Sequence, residues 1–132
     1  MLLYEELSNL VLRAFFNTMR NLGPGFLESV YENALCIEFD ELGVPYERQK
    51  LLEIEYKGHL IGSFKPDIIV DNKIIVEIKA VKEIVPAHEA QVYNYLAITG
   101  LDIGYILNCG EGRDYKRLIR KGSINKKSPL QQ

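Results

Sequence analysis

The fold is decided by one stretch of the sequence, Lys65-Pro66-Asp67-Ile68-Ile69-Val70-Asp71-Asn72-Lys73-Ile74-Ile75-Val76-Glu77-Ile78-Lys79-Ala80. It contains two runs of branched apolar residues, typical of β-strands, separated by the turn pair Asp71-Asn72. Apolar residues occupy both faces of the second run, which predicts a buried central strand. Because charged side chains are rarely buried without a partner or a metal ion, Glu77 and Lys79 are the first candidates for function.

The position of Asp67 depends on the length of the hairpin loop. With a three-residue loop at residues 71–73, Asp67 falls opposite Glu77; a two-residue loop would place it on the other face. Directly opposed side chains on antiparallel strands have Cβ atoms about 4.5–5.5 Å apart, and two carboxylates that close repel each other. A bound Mg²⁺ or Mn²⁺ would remove that penalty. The alternative is a buried ion pair with Lys79 and no bound metal.

Helix and strand patterns surround this hairpin. In chain order, the sequence predicts helices over 4–20 and about 26–41, strands over 51–56, 59–70 and 73–81, a helix over 86–99, and strands over 103–107 and 115–119. The first three strands are joined by short turns, which indicates an antiparallel meander. The whole order predicts an α+β (mixed α/β) fold in which helices cover a sheet.

Length and composition fit one globular domain. The chain has 132 residues, of which 47% are hydrophobic and 26% are charged, and its net charge is −2. Apolar runs fall far short of the ~18–20 residues of a membrane span, and acidic residues near the N-terminus argue against a signal peptide. We expect a cytoplasmic protein with no membrane contact, a domain over residues 1–122 and a flexible tail over 123–132.

The two cysteines, Cys36 and Cys109, lie in apolar surroundings far apart in the chain. Free cysteine is among the most buried residue types, so we expect both to be reduced core residues. A zinc site has little support, because His59 and His88 complete no ligand pattern with them.

Charge is distributed unevenly along the chain. Residues 1–112 carry 9 basic and 17 acidic side chains, a balance of −8, whereas residues 113–132 have a balance of +6. Clustered basic residues give affinity for phosphate and nucleic acid, although a solvated surface is the simpler interpretation. The candidate phosphate contacts in this basic segment include Arg113, Lys116, Arg117 and Arg120.

The helix after the carboxylate strand carries a polar stripe at His88, Gln91 and Tyr95. Gln91 could hold a water or a phosphate and Tyr95 could contact a phosphate backbone; alternatively, Gln91 is a surface residue and Tyr95 a core aromatic. On the second predicted helix, Glu28 and Tyr31 lie one turn apart. Glu28 would also simply favour the positive end of the helix dipole.

Three motifs occur together in this order. Residues 25–31, Gly-Phe-Leu-Glu-Ser-Val-Tyr, match a GxxExxY signature, Pro66-Asp67 with Glu77-Ile78-Lys79 match a PD…EXK motif, and residues 91–95 match QxxxY. Over about residues 7–110 the chain therefore resembles the small prokaryotic GxxExxY proteins, which are grouped with the PD-(D/E)XK nuclease-like superfamily.

The resemblance implies a restriction-endonuclease-like αβββαβ core with a central mixed sheet flanked by helices. It implies that Asp67 and Glu77 bind Mg²⁺ or Mn²⁺, with Glu28 as an auxiliary acid, and that Lys79 activates the attacking water. Gln91 would support the site. Substrate contacts are expected from Tyr31, His88 and Tyr95. The basic segment lies outside the motifs of the resemblance, and its charge alone is the reason to expect contacts from Arg113, Lys116, Arg117 and Arg120.

These observations predict a magnesium-dependent nuclease that hydrolyses phosphodiester bonds in DNA. Two alternatives stay open: a catalytically silent module that binds nucleic acid or protein, and a magnesium-dependent hydrolase of a small phosphate ester, for which the acidic body of the chain is less of an obstacle. A homodimer would suit cleavage of two strands, and no residue of the sequence specifies one.

Overall fold

The computed structural model describes residues 4–120. In chain order the elements are α1 (Glu5–Leu22), α2 (Glu28–Leu42), β1 (Tyr46–Arg48), β2 (Leu52–Tyr56), β3 (His59–Phe64), β4 (Ile68–Val70), β5 (Ile74–Lys79), α3 (Pro86–Thr99), β6 (Ile103–Asn108) and β7 (Tyr115–Ile119). The tail expected at 123–132 lies outside the described residues. Among the helices that are described, each is too short or too polar to cross a membrane.

Five strands form the central sheet, in the order β1-β4-β5-β6-β7. Strands β5 and β6 are parallel, and the other neighbours are antiparallel. Helix α3 connects the parallel pair, as a crossover must, because parallel neighbours cannot be joined by a tight turn. The predicted mixed α+β fold with a central mixed sheet is confirmed.

The predicted meander is wrong in its first half. The run from His59 to Val70 is two strands, β3 and β4, interrupted at Lys65-Pro66-Asp67. Strand β3 pairs with β2 in a separate two-stranded sheet, whereas β4 lies between β1 and β5. Pro66 has no N–H to donate to a ladder, and both edges of β4 are already occupied, so β3 cannot pair with it.

The β4–β5 hairpin has the predicted three-residue loop. Val70 pairs with Ile74 and Ile68 with Val76, and the Lys73 N–H donates to the Val70 carbonyl at 2.9 Å. Asp71 and Asn72 adopt left-handed φ angles of 49° and 51°, a conformation that Asp and Asn tolerate better than most residues. Continuing this register by one residue sets Asp67 opposite Glu77.

Helices cover both faces of the central sheet. Residues of α1 and α2, such as Phe15 and Leu35, pack with Val76 and Ile78 on one face. Helix α3 packs on the other face, with Val92 and Leu96 against Ile75 and Ile106. Helix α3 approaches β6 closely at Gly104, where an added Cβ would lie 2.4 Å from Val92 Cγ1. As predicted, Cys36 and Cys109 are free and buried.

Candidate active site

Two hydrogen bonds join Asp67 to the Glu77-Ile78 segment of β5. The Asp67 N–H donates to Glu77 Oε1 at 2.8 Å, and the Ile78 N–H donates to Asp67 Oδ2 at 2.8 Å. Each carboxylate is thus held by backbone of the opposite strand, where the chain enters β4 beside β5. Glu77 is only 4% exposed and Asp67 is half-buried, so both acids sit in a partly desolvated environment.

Burial and mutual repulsion make it costly to ionise both acids. Burial and, after it, the charge of Asp67 raise the pKa of Glu77 to about 8. Burial also raises the pKa of Asp67, against which the hydrogen bond from Ile78 acts. Desolvation and a like charge both disfavour the ionised form, so a positive charge between the two groups would be strongly favoured.

Lys79 follows Glu77 by two residues and lies on the same face of β5, the face that α3 covers. Its Nζ donates to Gln91 Oε1 at 3.0 Å, and Gln91 Nε2 donates to the Tyr95 hydroxyl at 3.1 Å. No ion pair of Lys79 with a carboxylate occurs in residues 4–120. The buried ion pair considered above is therefore not what the structure contains.

Two residues outside the motifs are linked to Asp67, Gln49 directly and Glu32 through Gln49. Gln49 Nε2 donates to Glu32 Oε1 at 2.8 Å and to Asp67 Oδ1 at 3.3 Å. Glu32 lies on α2, is 8% exposed, and accepts from Arg48 Nη2 at 2.8 Å through its other oxygen. The one feature of the sequence that could have pointed to Glu32 is its charge on the side of α2 that also carries the buried residues Tyr31, Leu35 and Cys36. Gln49 gives no such signal.

Glu28 is the third acid of the predicted metal site. It is the first residue of α2 and is exposed. No hydrogen bond within the part of the chain that the structure describes joins it to Asp67 or Glu77. Its charge contributes, after burial, to raising the pKa of Cys109 to about 12, which places it near the end of β6. Metal binding by Glu28 stays a prediction.

Tyr31 and His88 have structural hydrogen bonds. The Tyr31 hydroxyl donates to the Gly23 carbonyl at 2.6 Å and accepts from the Phe26 N–H at 3.2 Å, which fixes the loop between α1 and α2. His88 Nδ1 accepts from the Val85 N–H at 3.1 Å at the start of α3. Tyr95 is buried, and its pKa is raised by burial and then by the charge of Glu77. Substrate contact by these residues stays a prediction.

The basic residues lie on and around β7, which is separated from β5 by β6. Lys116 lies 3.9 Å from Glu89. Arg120 pairs with Asp102 at 3.0 Å and donates to the Leu101 and Gly100 carbonyls. At least these two side chains are thus engaged within the protein, and the predicted phosphate contacts of Arg113, Lys116, Arg117 and Arg120 stay untested.

The donor set fits Mg²⁺ or Mn²⁺ better than zinc. Within residues 4–120 no group of three or more His, Cys, Asp or Glu side chains is arranged to hold a metal ion. Magnesium is commonly bound by one or two carboxylates together with waters and substrate phosphates, and Asp67 with Glu77 supplies such a pair. Burial raises the pKa of both acids, and a cation between them would favour their ionised forms.

The protein is thus an α+β protein whose central mixed sheet carries an aspartate, a glutamate and a lysine close together. A family model of the PD-(D/E)XK nuclease superfamily matches residues 5–121. The chain belongs to that superfamily. Comparison with curated proteins and with solved structures gives no significant match. The narrower GxxExxY assignment stays a prediction.

Proposed function

We propose that the protein is a divalent-metal-dependent nuclease that hydrolyses phosphodiester bonds in DNA, with Asp67, Glu77 and Lys79 at its centre. The observation that carries the proposal is the pair of hydrogen bonds that crosses between Asp67 and the Glu77-Ile78 segment. These bonds hold two acids of raised pKa side by side. Lys79 lies two residues after Glu77 on the same strand. Membership in a nuclease superfamily supports the same reaction class.

In this proposal, Asp67 and Glu77 hold the metal ion. When bound, Mg²⁺ would supply Lewis-acid charge that strengthens a water nucleophile and neutralises phosphate oxygens. Glu77 must release its proton to become a metal ligand. Because its pKa is raised, we expect metal binding to strengthen as the pH rises towards 8. Asp67 keeps its orientation through the Ile78 N–H.

Lys79 provides a fixed positive charge for the phosphate. Its ammonium group is tethered by Gln91, which is in turn held by the Tyr95 hydroxyl. A cation that is positioned before the reaction stabilises developing negative charge without reorganisation at the moment of reaction. We assign to Lys79 the stabilisation of the phosphate and the orientation of the attacking water, and to Gln91 and Tyr95 the support of Lys79.

The choice of DNA rests on superfamily membership, and we place the chain within the GxxExxY group on the basis of Gly25, Glu28 and Tyr31. One observation favours a second candidate, a small phosphate ester. Residues 1–112 have a charge balance of −8, and Lys116 and Arg120 of the basic segment are engaged with acids. An acidic surface repels the many phosphates of a DNA duplex more strongly than it repels a small phosphate ester, so it favours binding of the small ligand.

Plasmid nicking tests the proposal. Wild-type protein is incubated with supercoiled DNA and Mg²⁺ or Mn²⁺, beside Glu77→Ala and, as a matched control, Glu55→Ala on the exposed face of β2. We expect cleavage by wild type and Glu55→Ala that EDTA abolishes, and none by Glu77→Ala. Equal trace activity in all three proteins would remove the catalytic claim.

Parallel reactions separate the substrate classes. Single-stranded DNA, RNA and a set of nucleoside phosphates are presented under the same metal conditions. Cleavage restricted to nucleoside phosphates would replace DNA by a small phosphate ester and leave the roles of Asp67, Glu77 and Lys79 in place. DNA binding that persists in EDTA without any cleavage would indicate the non-catalytic module.

A further inference from the structure

We infer that Gln49 is a positioning residue, which orients the Asp67 carboxylate, and that Glu32 anchors Gln49 from the opposite face of the sheet. The inference deepens the proposed function and rests on Asp67 being a metal ligand. It assigns a role to two residues that lie outside the PD…EXK, GxxExxY and QxxxY motifs.

Gln49 holds Asp67 at two points. Its backbone N–H donates to the Asp67 carbonyl at 3.0 Å, and its side-chain Nε2 donates to Asp67 Oδ1 at 3.3 Å. The other carboxylate oxygen, Oδ2, accepts from the Ile78 N–H. The carboxylate therefore has a donor at each oxygen, and Gln49 supplies the one that does not come from β5.

The backbone at Gln49 favours this arrangement at a cost. Gln49 has a φ of 50°, a left-handed conformation that is unfavourable for a non-glycine residue. It follows directly after β1, whose partner is β4. Since this turn brings both donors of Gln49 to Asp67, the strained residue lies where it can act on the candidate ligand.

Glu32 determines which end of the Gln49 amide faces the acids. Carboxylates on both sides, Glu32 Oε1 at 2.8 Å and Asp67 Oδ1 at 3.3 Å, can be satisfied only by the NH₂ group. Glu32 is itself fixed, because its second oxygen accepts from Arg48 and it is buried. The side-chain amide of Gln49 thus connects Glu32 on α2 to Asp67.

Burial is the largest cause of the raised pKa of Asp67, and this arrangement contributes two smaller effects. The charge of Glu32 disfavours ionisation of Asp67, whereas the Gln49 amide favours it. Gln49 therefore separates two acids while it donates to both. Loss of an outer partner that orients a metal ligand typically costs about 10–100-fold in metal affinity, and with one of two donors removed we expect the low end, about tenfold.

Gln49→Met tests the inference, because methionine matches the length of glutamine, keeps the backbone N–H and removes the side-chain donor. Two measurements are made on the full chain: the Kd for Mn²⁺ by titration calorimetry, and amide hydrogen exchange of Ile78 in metal-free protein by NMR. We expect a Kd raised about tenfold and faster exchange of Ile78, with the Leu107 amide in β6 as the internal reference.

Two variants control the test. Glu55→Gln, on the exposed face of β2, should stay within about twofold of wild type in both measurements, whereas Glu32→Met, which removes the acceptor for Gln49, should change both in the direction of Gln49→Met. If Gln49→Met does not fold, Gln49→Gly is used, because glycine removes the side chain and relieves the left-handed strain. Unchanged Ile78 exchange, or an unchanged Kd for Mn²⁺, overturns the inference.

Failure of the proposed function has a different signature. In that case wild-type protein binds no Mn²⁺, or Glu77→Ala binds it equally well, whereas Ile78 exchange still reports whether Gln49 holds Asp67. The metal-free measurement thus separates an error about Gln49 from an error about the metal site.

Discussion

Lys79 Nζ donates its hydrogen bond to Gln91 Oε1, a neutral amide oxygen, at 3.0 Å. The charge of Lys79 still lowers the pKa values of Asp67 and Glu77, although both remain raised overall. The lysine is thus close enough to influence the acids without neutralising them in an ion pair. A site organised in this way keeps both its cation and its carboxylates available to a ligand.

Replacing Lys79 with methionine should remove turnover without removing metal binding. Methionine retains most of the aliphatic chain but loses the charge, so we expect plasmid nicking to fall about 10²–10³-fold while the Kd for Mn²⁺ changes little. Lys73→Met, on the β4–β5 loop where Lys73 pairs with Asp71, is the matched control and should keep its activity. Loss of the folded state in Lys79→Met would instead show that Lys79 is structural.

Metal-free protein should lose stability as the pH rises. The folded-state pKa of Glu77 is about 8, against an ordinary value of 4.5, so the folded state binds this proton more tightly than the unfolded chain does. Stability therefore falls between about pH 4.5 and pH 8. Glu77→Gln should flatten this profile and raise Tm at pH 8 by about 5 °C, as measured by thermal unfolding in EDTA. A Tm difference that did not vary with pH would contradict the assigned cause.

Gly104→Ala should loosen α3 and thereby the site. An added Cβ would lie 2.4 Å from Val92 Cγ1, and overpacking of a well-packed core costs about 1–3 kcal/mol. The free energy of unfolding is measured by urea titration, and nicking activity is measured alongside it because α3 carries Gln91 and Tyr95. The double variant with Val92→Ala should recover part of the loss; no recovery would place the strain elsewhere.

Arg120 and Lys116 offer a matched comparison near β7. Arg120→Ala removes an ion pair with Asp102 and hydrogen bonds to the Leu101 and Gly100 carbonyls, so we expect a loss of about 2 kcal/mol in stability. Lys116→Ala removes only a 3.9 Å exposed pair with Glu89, worth about 0.5 kcal/mol or less. Thermal unfolding of the two variants checks this, and equal effects would contradict the structural role of Arg120.

Most helices and strands could be predicted from local pattern alone. Pro86 begins α3 and Gly100 follows its end with a left-handed φ, as the sequence indicates. The three-residue loop at Asp71–Lys73 fixed the register of β4 against β5, and with it the position of Asp67 opposite Glu77. These features depend on residues that are close to each other in the chain, so the sequence alone is enough to predict them.

The separation of β3 from β4 could not be predicted in the same way. Both segments alternate as strands, and whether they pair depends on which other strands occupy the edges of β4. Strand β1 takes one of those edges, although it has only three residues and a weak pattern. Competition for an edge is a property of the whole sheet, and so the meander prediction was wrong.

The sequence by itself determined the candidate site residues: Glu77 and Lys79 are marked by their charge inside an apolar strand, and Asp67 by its register opposite Glu77. Only the tertiary structure decided what surrounds them, including the acid on α2 that reaches Asp67. Glu28 stands out by its motif and Glu32 does not, yet Glu32 is the one linked to Asp67 through Gln49. The physical reason is that a hydrogen bond is made or lost by differences of a few tenths of an ångström in the distance between two groups. Where those groups belong to segments remote in the chain, packing sets that distance and the local sequence pattern does not.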